Sequence, residues 1–115
     1  MKAPTKKEKR VRRQGRIRAK ISGTSVRPRL AVFKSNRFTT LQVIDDTKGM
    51  TLVAGTTKGM KKGTAKEKAF ELGEIVAKTS LTKKITAVVF DRGGFAYTGV
   101  IKEVADGARK GGLKF

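Results

Sequence analysis

Two short stretches, RLAVFK at 29–34 and ITAVVF at 85–90, constrain this chain more than any other feature. In the first, Leu30 and Val32 fall on one alternating face, while Ala31 and Phe33 fall on the other. A strand that is apolar on both faces belongs inside a sheet covered on both sides, whereas a half-solvated strand alternates apolar with polar. Ser35-Asn36 is a turn signal and RFTTLQVID follows it, so the first strand continues into a hairpin. Asp45-Asp46-Thr47-Lys48-Gly49 marks a further turn, after which TLVAGTT reads as a third strand.

Between the third strand and ITAVVF the period changes. Thr64-Ala65-Lys66-Glu67 fits a capping box, and Ala65, Ala69, Leu72 and Val76 then recur at helical spacing. Beyond the fourth strand, Val100, Ile101, Val104, Ala105 and Ala108 share one face of a last helix that Gly111-Gly112 stops. The fourth strand is reached through a helix, so its connection is a crossover and its pairing with the first strand is parallel. The predicted class is α/β: a small mixed sheet in the order β-β-β-α-β-α with helices packed on it. The two doubly apolar strands are expected to be central neighbours, with the hairpin partner outside the first.

Charge divides the chain. Against 9 Asp+Glu stand 28 Lys+Arg, a net +19, and residues 1–20 alone carry +9. Self-repulsion on this scale opposes a compact state unless a polyanion neutralises it, which makes nucleic acid the expected partner. The segment KKEKRVRRQGRIRAK has only Val11, Ile17 and Ala19 as apolar residues, too few for a core-facing stripe. Residues 1–22 are therefore expected to form a basic arm, disordered when free and ordered on RNA, ahead of an α/β RNA-binding domain at 23–115. Gly23 and Thr24-Ser25 would be the hinge between them. The arm's candidate RNA-binding cations are Lys6, Lys7, Lys9, Arg10, Arg12, Arg13, Arg16, Arg18 and Lys20.

The composition also excludes chemistry. The chain has no Cys and no His, which removes thiolate nucleophiles, disulfides, the commonest metal ligand and the usual neutral-pH general base. No GxSxG, Walker loop or GxGxxG occurs. The acids Asp45 and Asp46 are expected at the opposite end of the sheet from Asp91, so no carboxylate cluster is expected to hold a metal. The reading is of a protein that is not an enzyme, has no cofactor or small-molecule substrate, and makes no membrane span. It is expected to be cytoplasmic.

VVFDRGGFAYTG at 88–99 carries the remaining site. Backbone N–H groups around Gly93-Gly94 suit an anion-binding nest, and Arg92 offers a fork for phosphate or a guanine edge. Asp91 would orient Arg92 or accept from a ribose hydroxyl. Phe95 and Tyr97 offer rings, with burial of Phe95 against the last helix equally open.

RPRLAVFKSNRF, LQVIDD, VVFDRGGFAYTG and the closing ADGARKGGLKF together resemble the eighteenth large-subunit ribosomal protein family of bacteria, over essentially the whole chain. The resemblance implies a topology related to ribonuclease H without its activity. It implies binding to 5S rRNA, and attachment of that RNA to 23S rRNA in the central protuberance beside other 5S-binding proteins. It also carries over Arg27, Arg29, Lys34, Ser35, Asn36, Arg37, Asp91, Arg92, Gly93, Gly94 and Tyr97 as RNA-binding residues. The family often has His and an aromatic residue after Ser-Asn-Arg, where this chain has Phe38, Thr39 and Thr40, and Tyr-His-Gly-Arg at 97–100, where it has Tyr-Thr-Gly-Val. Two alternatives stand beside this reading: a sequence-indifferent cationic nucleic-acid binder, and a small nuclease on the same kind of sheet.

Overall fold

The computed structural model describes residues 3, 5–20, 22–35 and 37–115, with side chains for all of these but 18–20. The elements are α1 (Lys6–Lys20), β1 (Arg29–Lys34), β2 (Thr39–Asp45), β3 (Met50–Thr56), α2 (Ala65–Thr82), β4 (Val89–Asp91) and α3 (Val100–Lys110). From β1 onward this is the expected β-β-β-α-β-α order.

The four strands form one sheet in the order β3-β2-β1-β4. β1 pairs antiparallel with β2, setting Leu30 opposite Val43 and Val32 opposite Leu41. It pairs in parallel with β4, as a crossover connection requires. Leu30, Val32, Leu41, Val43 and Val53 meet Ala69, Leu72 and Val76 of α2 and Ile101, Val104 and Ala108 of α3 in a single apolar cluster. Each fully buried Leu or Val in it contributes about 1.5–3 kcal/mol. Thr64 caps α2 by accepting from the Glu67 N–H at 3.2 Å, as the capping-box pattern predicts. The two helices approach backbone to backbone. A Cβ on Gly107 would stand 2.1 Å from the Phe70 carbonyl oxygen, and one on Gly73 2.4 Å from that of Val104.

Four expectations need correction. β4 is a neighbour of β1 but lies at the sheet edge, and only Val89–Asp91 of the apolar run is strand. The run is covered from the side instead: Ala87 bridges to Lys114, and Phe115 stacks on Phe90 with 5.4 Å between centroids. The second face of the sheet is covered only in part, by Phe95 and α1 over Phe33. α2 and α3 take the face of Leu30 and Val32, while the other opens as a groove lined by Gln14, Ala31, Phe33, Thr40, Gln42 and Ile44.

Gly23 is no hinge. It is buried against the hairpin, donating its N–H to Asp46 Oδ2 at 2.7 Å and accepting from the Asp46 N–H at 3.1 Å. A Cβ there would lie 2.4 Å from the Arg29 nitrogen. Lastly, the segment expected to form a structureless arm is helical over 15 residues, for reasons that belong to the site. Among the described residues no helix is long and apolar enough to cross a membrane.

Candidate nucleic-acid interface

Helix α1 begins with a local device. The Glu8 N–H donates to Thr5 Oγ at 3.1 Å, and the Thr5 N–H donates to Glu8 Oε2 at 3.2 Å. This reciprocal cap satisfies two N-terminal donors, and Glu8 sits favourably near the positive end of the helix dipole. Two arginines on the next turn then bind α1 to the rest of the protein. Arg10 Nη1 donates to the Gly93 carbonyl at 3.0 Å, and Arg13 Nε donates to the Gly94 carbonyl at 2.8 Å. The Arg10 guanidinium also lies 4.8 Å from the Phe95 ring centre and 5.6 Å from that of Phe33. Those rings meet edge to face at 6.2 Å. Cap, carbonyl bonds and cation–π contacts together offset the like-charge repulsion that disfavours an isolated helix of this composition.

This docking changes the meaning of the DRGG turn. Gly93 and Gly94 do take positive φ, +65° and +80°, and both are buried. Yet a Cβ on Gly94 would stand 2.3 Å from the Arg10 carbonyl oxygen and 2.9 Å from the Gln14 nitrogen. Gly94 thus admits the backbone of α1, while a Cβ on Gly93 would meet the Val32 carbonyl and the Phe95 ring. Phe95 packs under α1 on Phe33.

Asp91 is fully buried, accepting from the Gly93 N–H at 2.8 Å and from Arg29 Nη1 at 2.7 Å. The same guanidinium donates to both Asp46 carboxylate oxygens at 3.0 Å. Asp46 and Asp91 are therefore joined through Arg29, not held at opposite ends. Hydrogen bonding to Asp46, opposed by burial and reinforced by Asp91, raises the Arg29 pKa above its ordinary value. The triad ties the start of β1 to the β2–β3 turn and to the end of β4. Within the protein, Arg29 and Asp91 are buried in this triad and bonded to each other.

The other expected residues divide between two places. Lys6, Lys7, Lys9, Arg12 and Arg16 are exposed along α1, with Arg10 and Arg13 half-buried at its base. Arg18 and Lys20 lie on the same helix, their side chains outside the described set. Arg92 faces α1, and its Nη1 donates to the Phe95 carbonyl at 3.1 Å. Lys34, Ser35 and Arg37 are exposed in the β1–β2 turn, which is closed by the Ser35 hydroxyl bonding both the N–H and the carbonyl of Phe38 at 3.1 Å. Asn36 lies outside the described residues.

Arg27 is at the other end of β1, seven residues or roughly 23 Å of extended chain from Lys34, with its Nε 3.3 Å from the Val88 carbonyl. Tyr97 is partly exposed, but its hydroxyl accepts from Arg109 Nη1 at 3.1 Å and its ring packs edge-on against Phe90. The basic loop at 58–63, KGMKKG, carries none of the expected site residues. Lys58 Nζ sits 5.9 Å from the Phe38 ring, beside the β1–β2 turn, and Lys61 and Lys62 are exposed next to it.

Acidic groups are sparse on these surfaces. Among the described residues, those other than Glu8 are buried or joined in the Arg29 triad and its turn, or they stand on α2 and α3, where Glu74 is near Lys78 and Lys110. Exposed cations thus outnumber carboxylates on α1 and at the β1–β2 turn and 58–62 loop, where Glu8 and Glu67 are the acids beside them. Such a surface recruits polyanions through backbone phosphates.

Known proteins resemble this chain in sequence along almost its full length. The family model for ribosomal L18 of archaea, bacteria, mitochondria and chloroplasts matches residues 4–115. The large ribosomal subunit protein uL18 of Bacteroides thetaiotaomicron is 53% identical over 112 residues, covering 96% of this chain and 98% of that protein. Its counterpart from Pseudothermotoga lettingae is 50% identical over 121 residues, covering 100% and 99%. The uL18c protein of rice is 50% identical over 123 residues, covering 100% of this chain and 72% of its own length. A match over nearly every residue means that the chain belongs to the ribosomal L18 family, a structural and non-enzymatic family of the large ribosomal subunit.

Proposed function

We propose that this protein binds 5S rRNA and helps attach it to 23S rRNA in the large subunit, beside neighbouring 5S-binding ribosomal proteins. The observation that carries the reading is the docked basic helix. Lys6, Lys7, Lys9, Arg12 and Arg16 are exposed on α1, which Arg10 and Arg13 hold against the turn that carries Arg92, and Lys34, Arg37, Lys58, Lys61 and Lys62 are exposed at the β1–β2 turn and the 58–62 loop. Rigid turns provide shape, and RNA helices are recognised by shape and backbone more than by base edges. Family membership supplies the ribosomal setting, and the resemblance in the strand and turn motifs supplies the choice of 5S rRNA.

The test is competition at fixed salt among 5S rRNA, an unrelated structured RNA of equal length and duplex DNA. Preference for 5S rRNA by tenfold or more supports specific recognition. Equal competition by all three would leave a cationic binder indifferent to sequence, which is the second reading the +19 charge allows.

A further inference from the structure

We propose that the cleft between α1 and the DRGG turn, lined by Arg13, Arg16, Ile17 and Arg92, holds a backbone phosphate of the bound RNA, and that Gly94 creates this cleft by letting α1 dock. The proposal rests on the RNA-binding reading and adds a site to it. The cleft has a volume of about 350 Å³ and draws its walls from two elements nearly eighty residues apart in sequence. Among the described residues, three guanidinium groups border it and no carboxylate does, so its ligand is an anion. Backbone bonds fix two of the three: Arg13 Nε on the Gly94 carbonyl and Arg92 Nη1 on the Phe95 carbonyl. A guanidinium has five donors in a planar fork, so one bond to a carbonyl orients it and leaves N–H groups for bidentate phosphate binding. Orientation before binding lowers the entropy lost on binding. Ile17 adds an apolar wall, which strengthens charge attraction locally. The neighbouring groove over the open sheet face, with Gln14, Phe33 and Gln42, has no cation among its described lining residues and does not compete for this role.

The cleft exists only while α1 is docked. Gly94 has φ +80° and its Cα lies under the α1 backbone, so a methyl group there strains the turn and strikes the Arg10 carbonyl. Gly94 is thus a positioning residue for RNA binding that need not touch RNA.

Full-length variants test this by titration with 5S rRNA and by trypsin cleavage of the free protein. Gly94→Ala should speed cleavage within residues 6–20 and weaken RNA binding, although it removes no charge. Gly49→Ala is the control, because Gly49 has φ +62° with nothing within 4 Å of a Cβ; it should leave both readouts unchanged. Arg16→Ala and Arg92→Ala, on separate elements, should each weaken binding roughly tenfold, as loss of a charge-assisted hydrogen bond does. If both hold one phosphate, the double variant loses clearly less than the product of the two single losses. Should Gly94→Ala fail to fold, this cycle decides alone. Multiplicative losses, or a Gly94→Ala protein with a released arm and unchanged affinity, overturn the cleft. A wild-type protein that prefers 5S rRNA no more than duplex DNA overturns the functional reading instead, and the cycle can then be run on either nucleic acid.

Discussion

Arg29 and Asp91 meet at 2.7 Å, sixty-two residues apart in sequence, where the parallel strands β1 and β4 run side by side. The carboxylate is fully buried, and its other oxygen accepts the Gly93 N–H. One side chain thus shapes the DRGG turn from within and locks it to the hairpin through Arg29 and Asp46. The turn in turn carries α1. A charged pair at the end of an apolar strand here holds the platform on which a basic helix rests.

Asp91→Asn should therefore lower stability before it lowers affinity. The amide keeps the shape, but it loses the charge that faces Arg29 and offers the Gly93 N–H a weaker acceptor. A cost of about 1–3 kcal/mol is expected, read as a lower midpoint in urea with unchanged slope. RNA affinity measured well below the melting temperature should change little. A large affinity loss without a stability loss would place Asp91 at the RNA after all.

The burial of Asp91 was not legible in the sequence, and the reason is physical. Asp-Arg-Gly-Gly after a strand reads equally as an exposed ligand turn or as a buried knot, and the difference lies in Arg29, whose role depends on strand pairing. The local patterns did better. Helical spacing in 65–76 and 100–108, the Thr64 cap and the parallel crossover all followed from short-range rules. The helix α1 was legible too, since Thr5-Lys6-Lys7-Glu8 is the same capping pattern as Thr64 to Glu67. Its absence of an apolar stripe outweighed that signal, because the partners of α1 are carbonyls and aromatic rings reached by arginine rather than a core reached by leucine. ITAVVF reads as a central strand although β4 is at the edge, because its cover comes from Phe115 at the far end of the chain.

Gly107→Ala should destabilise without touching RNA binding. Its methyl would strike the Phe70 carbonyl at 2.1 Å, and neither helix backbone can retreat without opening the core. Overpacking of this kind costs about 1–3 kcal/mol. Thermal unfolding should show the loss, while the salt dependence of 5S rRNA binding stays that of the wild type. A changed salt slope would mean that α2 and α3 take part in the RNA surface.

Binding should be flat in pH between about 6 and 8.5, because only histidine has its ordinary side-chain titration there and the chain has none. Arg29 introduces no slope either. Its raised pKa means that its stabilisation is complete below the ordinary arginine value and is lost only as pH rises through the higher folded one. Titrations at constant ionic strength across this window check the point. A midpoint within the window would contradict it.

Removal of residues 1–20 separates the two parts of the interface. The deletion takes away a net +9, and five cations of the described helix, Lys6, Lys7, Lys9, Arg12 and Arg16, are exposed along it. For every phosphate no longer neutralised, the slope of log K against log salt should shrink by about 0.7–0.9, so a fall of roughly three to six units is expected. Affinity at physiological salt should drop steeply, and Phe33 and Phe95 lose the Arg10 cover that α1 provides. The preference for 5S rRNA over duplex DNA should survive, because Lys34, Ser35, Arg37 and the 58–62 loop remain on a folded sheet. An unchanged slope would mean that α1 points away from RNA in the complex. A slope that falls as expected while the preference disappears would assign recognition to the helix, with the turns contributing charge alone.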